Sequence, residues 1–337
     1  NEVDVPVILV ADIDRGGVIA NLVGTHAVLT KRERQRVKGF IINKFRGDIN
    51  LFDSGINIIE SYTGWSCFGV VPYLSEAKIL PQEDALALDM PRKYIRSSNS
   101  IKIAIPRLTR IANFDDFDPL VSEPNVFVKI IEPDQPLPLD SDIIIIPGSK
   151  STISDLNDLR RFGWDIDILA HHRQGGVIVG ICGGFQILGN EITDDQGYDG
   201  IPSNAKGLGL LDVQTIMGKE KNLGKKEFIS TVNGKKISGY EIHLGVTSGS
   251  DCNNPFATLR NKKDGAISSN GLVMGTYLHG LFFSDEFRNK FVAKLSSEEK
   301  KEDISFHDSI EFILEEFVRV IEDNLDVDSI LSVARNI

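Results

Sequence analysis

The chain has 337 residues, 41 % hydrophobic and 25 % charged, with 37 Lys+Arg against 48 Asp+Glu and a formal net charge of −11. That composition is globular and long enough for two domains with real cores; it argues against a protein held on nucleic acid by charge, and apolar runs such as 143–146 fall far short of the roughly 18 residues of a membrane span. Three cysteines, Cys67, Cys182 and Cys252, are too few and too scattered for a disulfide framework or a zinc cluster, and with no signal-like N-terminus the expectation is a soluble, cytoplasmic chain without nucleic-acid or membrane partners.

Apolar β-branched runs alternate with amphipathic stretches, the pattern of parallel α/β architecture. Residues 6–11 predict a buried strand, 17–29 a helix, 37–42 a strand, 52–62 a helix and 67–71 a strand. Crossovers of about 30 residues are the size of βαβ units. Residues 90–100 are polar, contain Pro91 and end in Ser-Ser-Asn-Ser, which reads as an interdomain linker. A second series follows, with strands at 101–105, 126–130 and 142–146, a helix after Ser151 and a strand at 176–181. Two alternating runs, 227–232 and 236–243, flank Asn233-Gly234 and predict a hairpin. A last strand at 272–277 and a helix at 284–295 lead through a polar run to helical spacing at 310–321, read as helices packed on the second domain. The fold expected is two α/β parallel-sheet domains, residues 1–95 and 101–295, with a helical tail at 296–337.

Gly180-Ile181-Cys182-Gly183-Gly184 follows a buried strand and opens a helix, the strand–turn–helix context of a nucleophile elbow. The glycines permit the tight turn, and the helix N-terminus points amide dipoles at the thiol, favouring the thiolate. The plain alternative is a core cysteine in a Gly-rich turn; Cys67 and Cys252 lack such surroundings and read as inert. A cysteine nucleophile needs a base. His279 sits just past a predicted strand end, where open α/β sheets place ligands. His243, sharing a strand face with Glu241 by alternation, competes with it. Backbone amides of Pro147–Thr152 can stabilise an oxyanion, with Gly148 allowing close approach; an ordinary turn capped by Ser149 or Ser151 is the alternative. In the first half, Asp12 and Asp14 lie between a strand and a helix, where carboxylates hold Mg²⁺ and a helix N-terminus meets phosphate. Asn43 ends the next strand, and Glu83 follows the loop after Val71-Pro72. No G-x-x-x-x-G-K-[ST] occurs in the sequence. The lysines from Lys219 to Lys236 read as a solvated face.

Gly-Ile-Cys-Gly-Gly-Phe-Gln at 180–186, with His279 about a hundred residues later, resembles the class I (triad-type) glutamine amidotransferase domain. Five further strings narrow the resemblance: Ala-Asp-Ile-Asp-Arg-Gly-Gly at 11–17, Ile-Asn-Lys-Phe-Arg-Gly-Asp at 42–48, Pro-Gly-Ser-Lys-Ser-Thr at 147–152, Gly-Tyr-Glu-Ile-His at 239–243 and Gly-Thr-Tyr-Leu-His-Gly-Leu-Phe at 275–282. Together they resemble the cobyric acid synthase family, from about Val5 to His279. The resemblance implies a P-loop-type, ATP-dependent synthetase domain similar to dethiobiotin synthetase, joined to a flavodoxin-like glutaminase domain. It implies that ammonia from glutamine amidates four carboxylates (b, d, e and g) of adenosylcobyrinic acid a,c-diamide to give adenosylcobyric acid. Each carboxylate would be activated by ATP with Mg²⁺, and no tightly bound cofactor is expected. By the same resemblance Cys182 is the nucleophile that forms a glutamyl thioester, and His279 its general base and acid. Gly148 and Gly183 offer oxyanion amides, Gln186, Glu241 and His243 belong to the substrate side, and Asp12, Asn43 and Glu83 to the nucleotide and metal side, with no firm metal ligand set.

Most triad amidotransferases carry a glutamate two residues after the histidine; here that position is Leu281, as in the cobyric acid synthase branch. The orienter of His279 is therefore unassigned, with Glu241 as one candidate. The family's Gly-rich phosphate loop lies upstream of these residues, so 1–95 reads as the C-terminal part of the synthetase domain. On that reading the chain releases glutamate from glutamine without binding ATP tightly or amidating a corrinoid by itself. The alternatives are another cobalamin-type amidotransferase such as cobyrinate a,c-diamide synthase, the glutaminase partner of a cell-wall amino-acid ligase, and a non-catalytic protein that keeps the fold. Homo-oligomerisation is left open.

Overall fold

A computed structural model describes residues 5–75, 77, 80, 100–295 and 305–335. Glu83 and all but the last residue of the predicted linker lie outside the described residues. The chain forms two compact units, Asn1–Leu80 with Asp308–Ile337, and Pro81–His307.

In the first unit, Val7–Asp12, Val37–Phe45 and Ser66–Pro72 form a parallel sheet in that order. Helices Val18–Val28 and Asp53–Thr63 make the crossovers. Their apolar faces close a core of Val18, Leu22, Phe40, Ile42, Ile59 and Val70, as parallel strands covered by helices require. The tail forms helices Phe306–Asn324 and Val327–Arg335. Against expectation, its C-terminal part packs on the first unit rather than the second: the Asp326 N–H donates to the Phe68 carbonyl at 2.8 Å, and Gly69 bridges Leu325. Gly69 makes this possible, because a Cβ there would collide with the Asn324 carbonyl. An amphipathic helix reveals that it needs a partner surface but not which one.

The second unit is built on a six-stranded sheet whose spatial order is Ala266–Ile267, Val273–Thr276, Val177–Ile181, Ile143–Ile146, Ile101–Pro106 and Val126–Ile131. All pairs are parallel except the edge strand Ala266–Ile267. Numbered along the chain, the five parallel strands run 2-1-3-4-5, the flavodoxin-like order, which places ligands at the carboxyl ends beside the point where the order reverses. The four isoleucines 143–146 are at most 1 % exposed, so this strand is central by side-chain burial as well as by pairing.

A second, mostly antiparallel sheet of seven strands is the larger departure from the sequence reading. Its spine is the hairpin Val213–Ser230 with Lys236–Gly249, much longer than the 227–243 expected. The register shifts between Ile216 and Lys221, and this irregular, lysine-rich stretch hid the strand from period-two pattern reading. The turn is also wider than a two-residue Asn-Gly loop, since the Ser230 N–H donates to the Lys235 carbonyl.

In the first turn of the helix Gly183–Leu188, which follows the strand Val177–Ile181, Gly184 lies against the Ile146 carbonyl, where an added Cβ would collide with backbone. Gly184→Ala should therefore destabilise the protein by about 2–3 kcal/mol, read as a fall in the urea midpoint at unchanged slope. An unchanged midpoint would mean that the helix is free to shift.

Candidate functional site

Val177–Ile181 lies between Ile143–Ile146 and Val273–Thr276, so its carboxyl end is the middle of the sheet's ligand-facing edge. Cys182 follows with φ 52° and ψ −108°, a backbone conformation that L residues rarely hold. That turn projects the thiol out of the sheet. Cys182 is 6 % exposed, with Sγ 3.6 Å from the Ile242 carbonyl of the long hairpin.

His279 arrives from the neighbouring strand. After Val273–Thr276 the chain crosses to the second sheet, where the two-residue strand Leu278–His279 pairs with Tyr240 and Glu241. The imidazole stacks on Tyr240, with ring centroids 5.3 Å apart. Its Nδ1 lies 2.7 Å from Asp116 Oδ2, while Asp116 Oδ1 accepts the Gly280 N–H at 2.6 Å. Both side chains are 1 % exposed. Burial works against charging the ring, but hydrogen bonds to Asp116 and Cys182 outweigh it, and the pKa of His279 is pushed up to about 10. The thiol, the imidazole and the carboxylate thus form a linked series.

Asp116 is the residue that sequence reasoning missed. It sits in the short helical turn Phe114–Phe117, entered through Asn113 at φ 51° and anchored by buried Phe114, Phe117 and Leu120. The available signal was a pair of acids between two phenylalanines shortly after the strand Ile101–Pro106, at the reversal point of the sheet. Glu241 is not the orienter: its carboxylate pairs with Lys226 at 3.4 Å, and in the sheet it faces Leu278.

The other expected residues divide. His243 lines the same cleft as Cys182, stacked 3.7 Å from the Tyr277 ring, and burial pushes its pKa down. Gln186 is 2 % exposed; its Nε2 donates to the Leu244 carbonyl and the Tyr277 hydroxyl, and its Oε1 accepts from Thr152 Oγ1. It therefore ties the elbow helix to the hairpin and forms a fixed wall of the cleft. Gly148 pairs with Ala112 and approaches His279 so closely that a Cβ would come within 2.9 Å of Cε1. Gly183 packs on Ser149, so both glycines border the thiol's surroundings. Ser151 is the N-cap of helix Thr152–Arg161 but makes no side-chain cap bond; its hydroxyl donates to the Asp199 carbonyl. The cleft holds about 320 Å³.

In the first unit, Asp12 and Asn43 are neighbours across the sheet. Asp12 Oδ2 accepts from Lys44 Nζ at 2.7 Å and Oδ1 from the Asp14 N–H at 3.0 Å, and the Lys44 hydrogen bond holds its pKa down. Asn43 Oδ1 accepts the Lys44 N–H. Among the described residues, no group of three or more His, Cys, Asp or Glu side chains is gathered there to hold a metal ion.

Asp116→Asn should leave the ring in place but remove the charge that favours imidazolium. Any hydrolysis that runs through the Cys182 thiol should fall in kcat/KM by about 100-fold or more. The His279 titration, followed by NMR of labelled imidazole, should move to lower pH. Because the folded pKa is raised above the ordinary 6.5, the pair stabilises the fold fully below that value, and the contribution is lost as pH rises toward 10. An unmoved titration would remove Asp116 from the site.

The CobB/CobQ-like glutamine amidotransferase domain family matches residues 102–287, and an AAA domain family matches residues 1–78. The chain is 51 % identical over 323 residues to a cobyric acid synthase of Allorhizobium ampelinum, covering 96 % of this chain and 66 % of that protein. It is 47 % identical over 331 residues to one of Brucella suis, covering 98 % of this chain and 68 % of that protein. The chain thus spans about two thirds of the length of the curated relatives it matches. A solved glutamine amidotransferase superposes with TM-score 0.41 at 16 % identity, over 57 % of this chain and 97 % of that one. With identity of this level along nearly its whole length, the chain belongs to the cobyric acid synthase family, and its residues 102–287 to the CobB/CobQ-like glutamine amidotransferases.

Proposed function

We propose that the chain hydrolyses glutamine at Cys182 and that the ammonia amidates carboxylates of a corrinoid acid. The observation that carries this is the thiol on a strained elbow, joined to a buried imidazole that is itself held by Asp116. The Cys182 thiolate attacks the side-chain carboxamide carbon, and backbone amides around Gly148 and Gly183 receive the developing oxyanion. His279 gives its proton to the departing nitrogen, so ammonia leaves and a glutamyl thioester remains. A water then attacks the thioester as His279 takes its proton. Glutamate departs and the thiol is restored. Asp116 keeps Nδ1 bonded throughout, which leaves Nε2 for the proton transfers.

For the acceptor we propose adenosylcobyrinic acid a,c-diamide, amidated at its b, d, e and g carboxylates. The support is the identity to cobyric acid synthases along nearly the whole chain. The AAA match over residues 1–78 is consistent with ATP as the activating nucleotide, and Mg²⁺ would accompany it.

Cys182→Ser should abolish glutamate release, because a hydroxyl beside the same imidazole is far harder to ionise than a thiol. Cys67→Ser and Cys252→Ser should keep nearly full activity. Mass spectrometry after treatment with 6-diazo-5-oxo-L-norleucine, an electrophilic glutamine analogue, should find the adduct on Cys182. An adduct on Cys67 or Cys252 would move the site elsewhere.

A further inference from the structure

The cleft around Cys182 contains charges that the hydrolysis does not use. Asp199, Lys150 and Lys221 all line it. Asp199 belongs to the loop between strands Glu191–Asp194 and Ser203–Lys206, and the loop is held in shape by Asp194, which is 1 % exposed. The Asp194 carboxylate accepts the N–H groups of Tyr198 and Asp199 at 2.9 and 2.8 Å. Asp199 Oδ2 in turn accepts the Ile153 N–H at 3.1 Å, at the start of helix Thr152–Arg161. Burial pushes its pKa up to about 6, against the Ile153 and Thr152 N–H groups that pull it down; Asp194 and Asp155 add like charge, and among the described residues Asp199 makes no ion pair. Lys150 and Lys221 are exposed and, among the described residues, make no ion pair. A half-buried carboxylate without a counter-cation is costly to keep, and so is marked for a cationic ligand.

We infer that Asp199 binds the α-ammonium of glutamine, while Lys150 and Lys221 face its α-carboxylate. This rests on the glutaminase reading above and makes Asp199 the residue that distinguishes an amino acid from a simple amide. The cleft, at about 320 Å³, lies at the small end of ligand pockets, which suits an amino acid and excludes a corrinoid. A zwitterionic head group supplies both signs of charge that the cleft's own residues leave unmatched.

The test compares L-glutamine with 4-carbamoylbutanoate, which lacks only the α-amino group. The unsubstituted chain should prefer glutamine in kcat/KM by about 100-fold or more. In Asp199→Asn that preference should collapse at least about tenfold, with the loss carried by KM. Alkylation of Cys182 by iodoacetamide, which has no head group, should proceed at the same rate in both proteins and shows that the elbow is intact. In Lys150→Met/Lys221→Met, two exposed substitutions, the preference for glutamine over 4-aminobutanamide, which lacks the α-carboxylate, should fall similarly. An unchanged preference in Asp199→Asn, or equal slowing of every substrate and of iodoacetamide, would reduce Asp199 to a helix cap and overturn the inference while leaving the glutaminase reading standing. A chain in which Cys182 reacts with iodoacetamide but glutamine is not hydrolysed would overturn both.

Discussion

The hydrogen bond between Asp116 and His279 is the contact on which the site depends. An imidazolium buried to 1 % exposure survives only beside a compensating charge, and Asp116 is equally buried. The segment that carries Asp116 is locked to the segment that carries His279 a second time. Arg288 on helix Asp285–Ala293 bonds Glu123 at 2.7 Å and donates to the Phe282 carbonyl at 2.8 Å. The Arg288 and Glu123 side chains are both fully buried. Such pairs add little net stability, but removing one partner strands the other. They are better understood as fixing a distance, here between two loops that the sheet alone would leave independent.

A second constraint comes from the sheet. Only the middle of a parallel sheet offers a strand end flanked by two others, and Cys182 occupies it between the loops that follow Ile143–Ile146 and Val273–Thr276. The strained φ at Cys182 and the close approach of Gly184 to the Ile146 carbonyl belong to one device. The helix must start within van der Waals contact of the next strand for the thiol to face outward rather than into the core. The strain is tolerated because the surrounding strands are buried on both faces and cannot relax.

Much of this was legible in the amino acids. Buried parallel strands are written as unbroken β-branched runs, so Ile143–Ile146 and Val177–Ile181 could be read almost to the residue, and the elbow glycines followed. Asp116 could not be read that way, because it meets His279 across 163 positions, a distance fixed by topology and not by local pattern. The hairpin was seen only at its regular, turn-proximal end, since the stretch before Lys221 breaks the alternation. Glu241 looked suitable because alternation put it on a face with His243, yet pattern reading could not show that Lys226 already held it.

The return of the C-terminal helices to the first unit makes the chain's two units non-collinear. The first is written in two separated stretches of the gene, with the whole second unit inserted between them. No single cut therefore divides this polypeptide into its two halves. Severing it near residue 100 would strip the first unit of its last helices and leave them as an unpartnered amphipathic appendage on the second. Gene fission, domain shuffling or simple truncation would each meet the same obstacle, so this arrangement favours inheritance of the two units together.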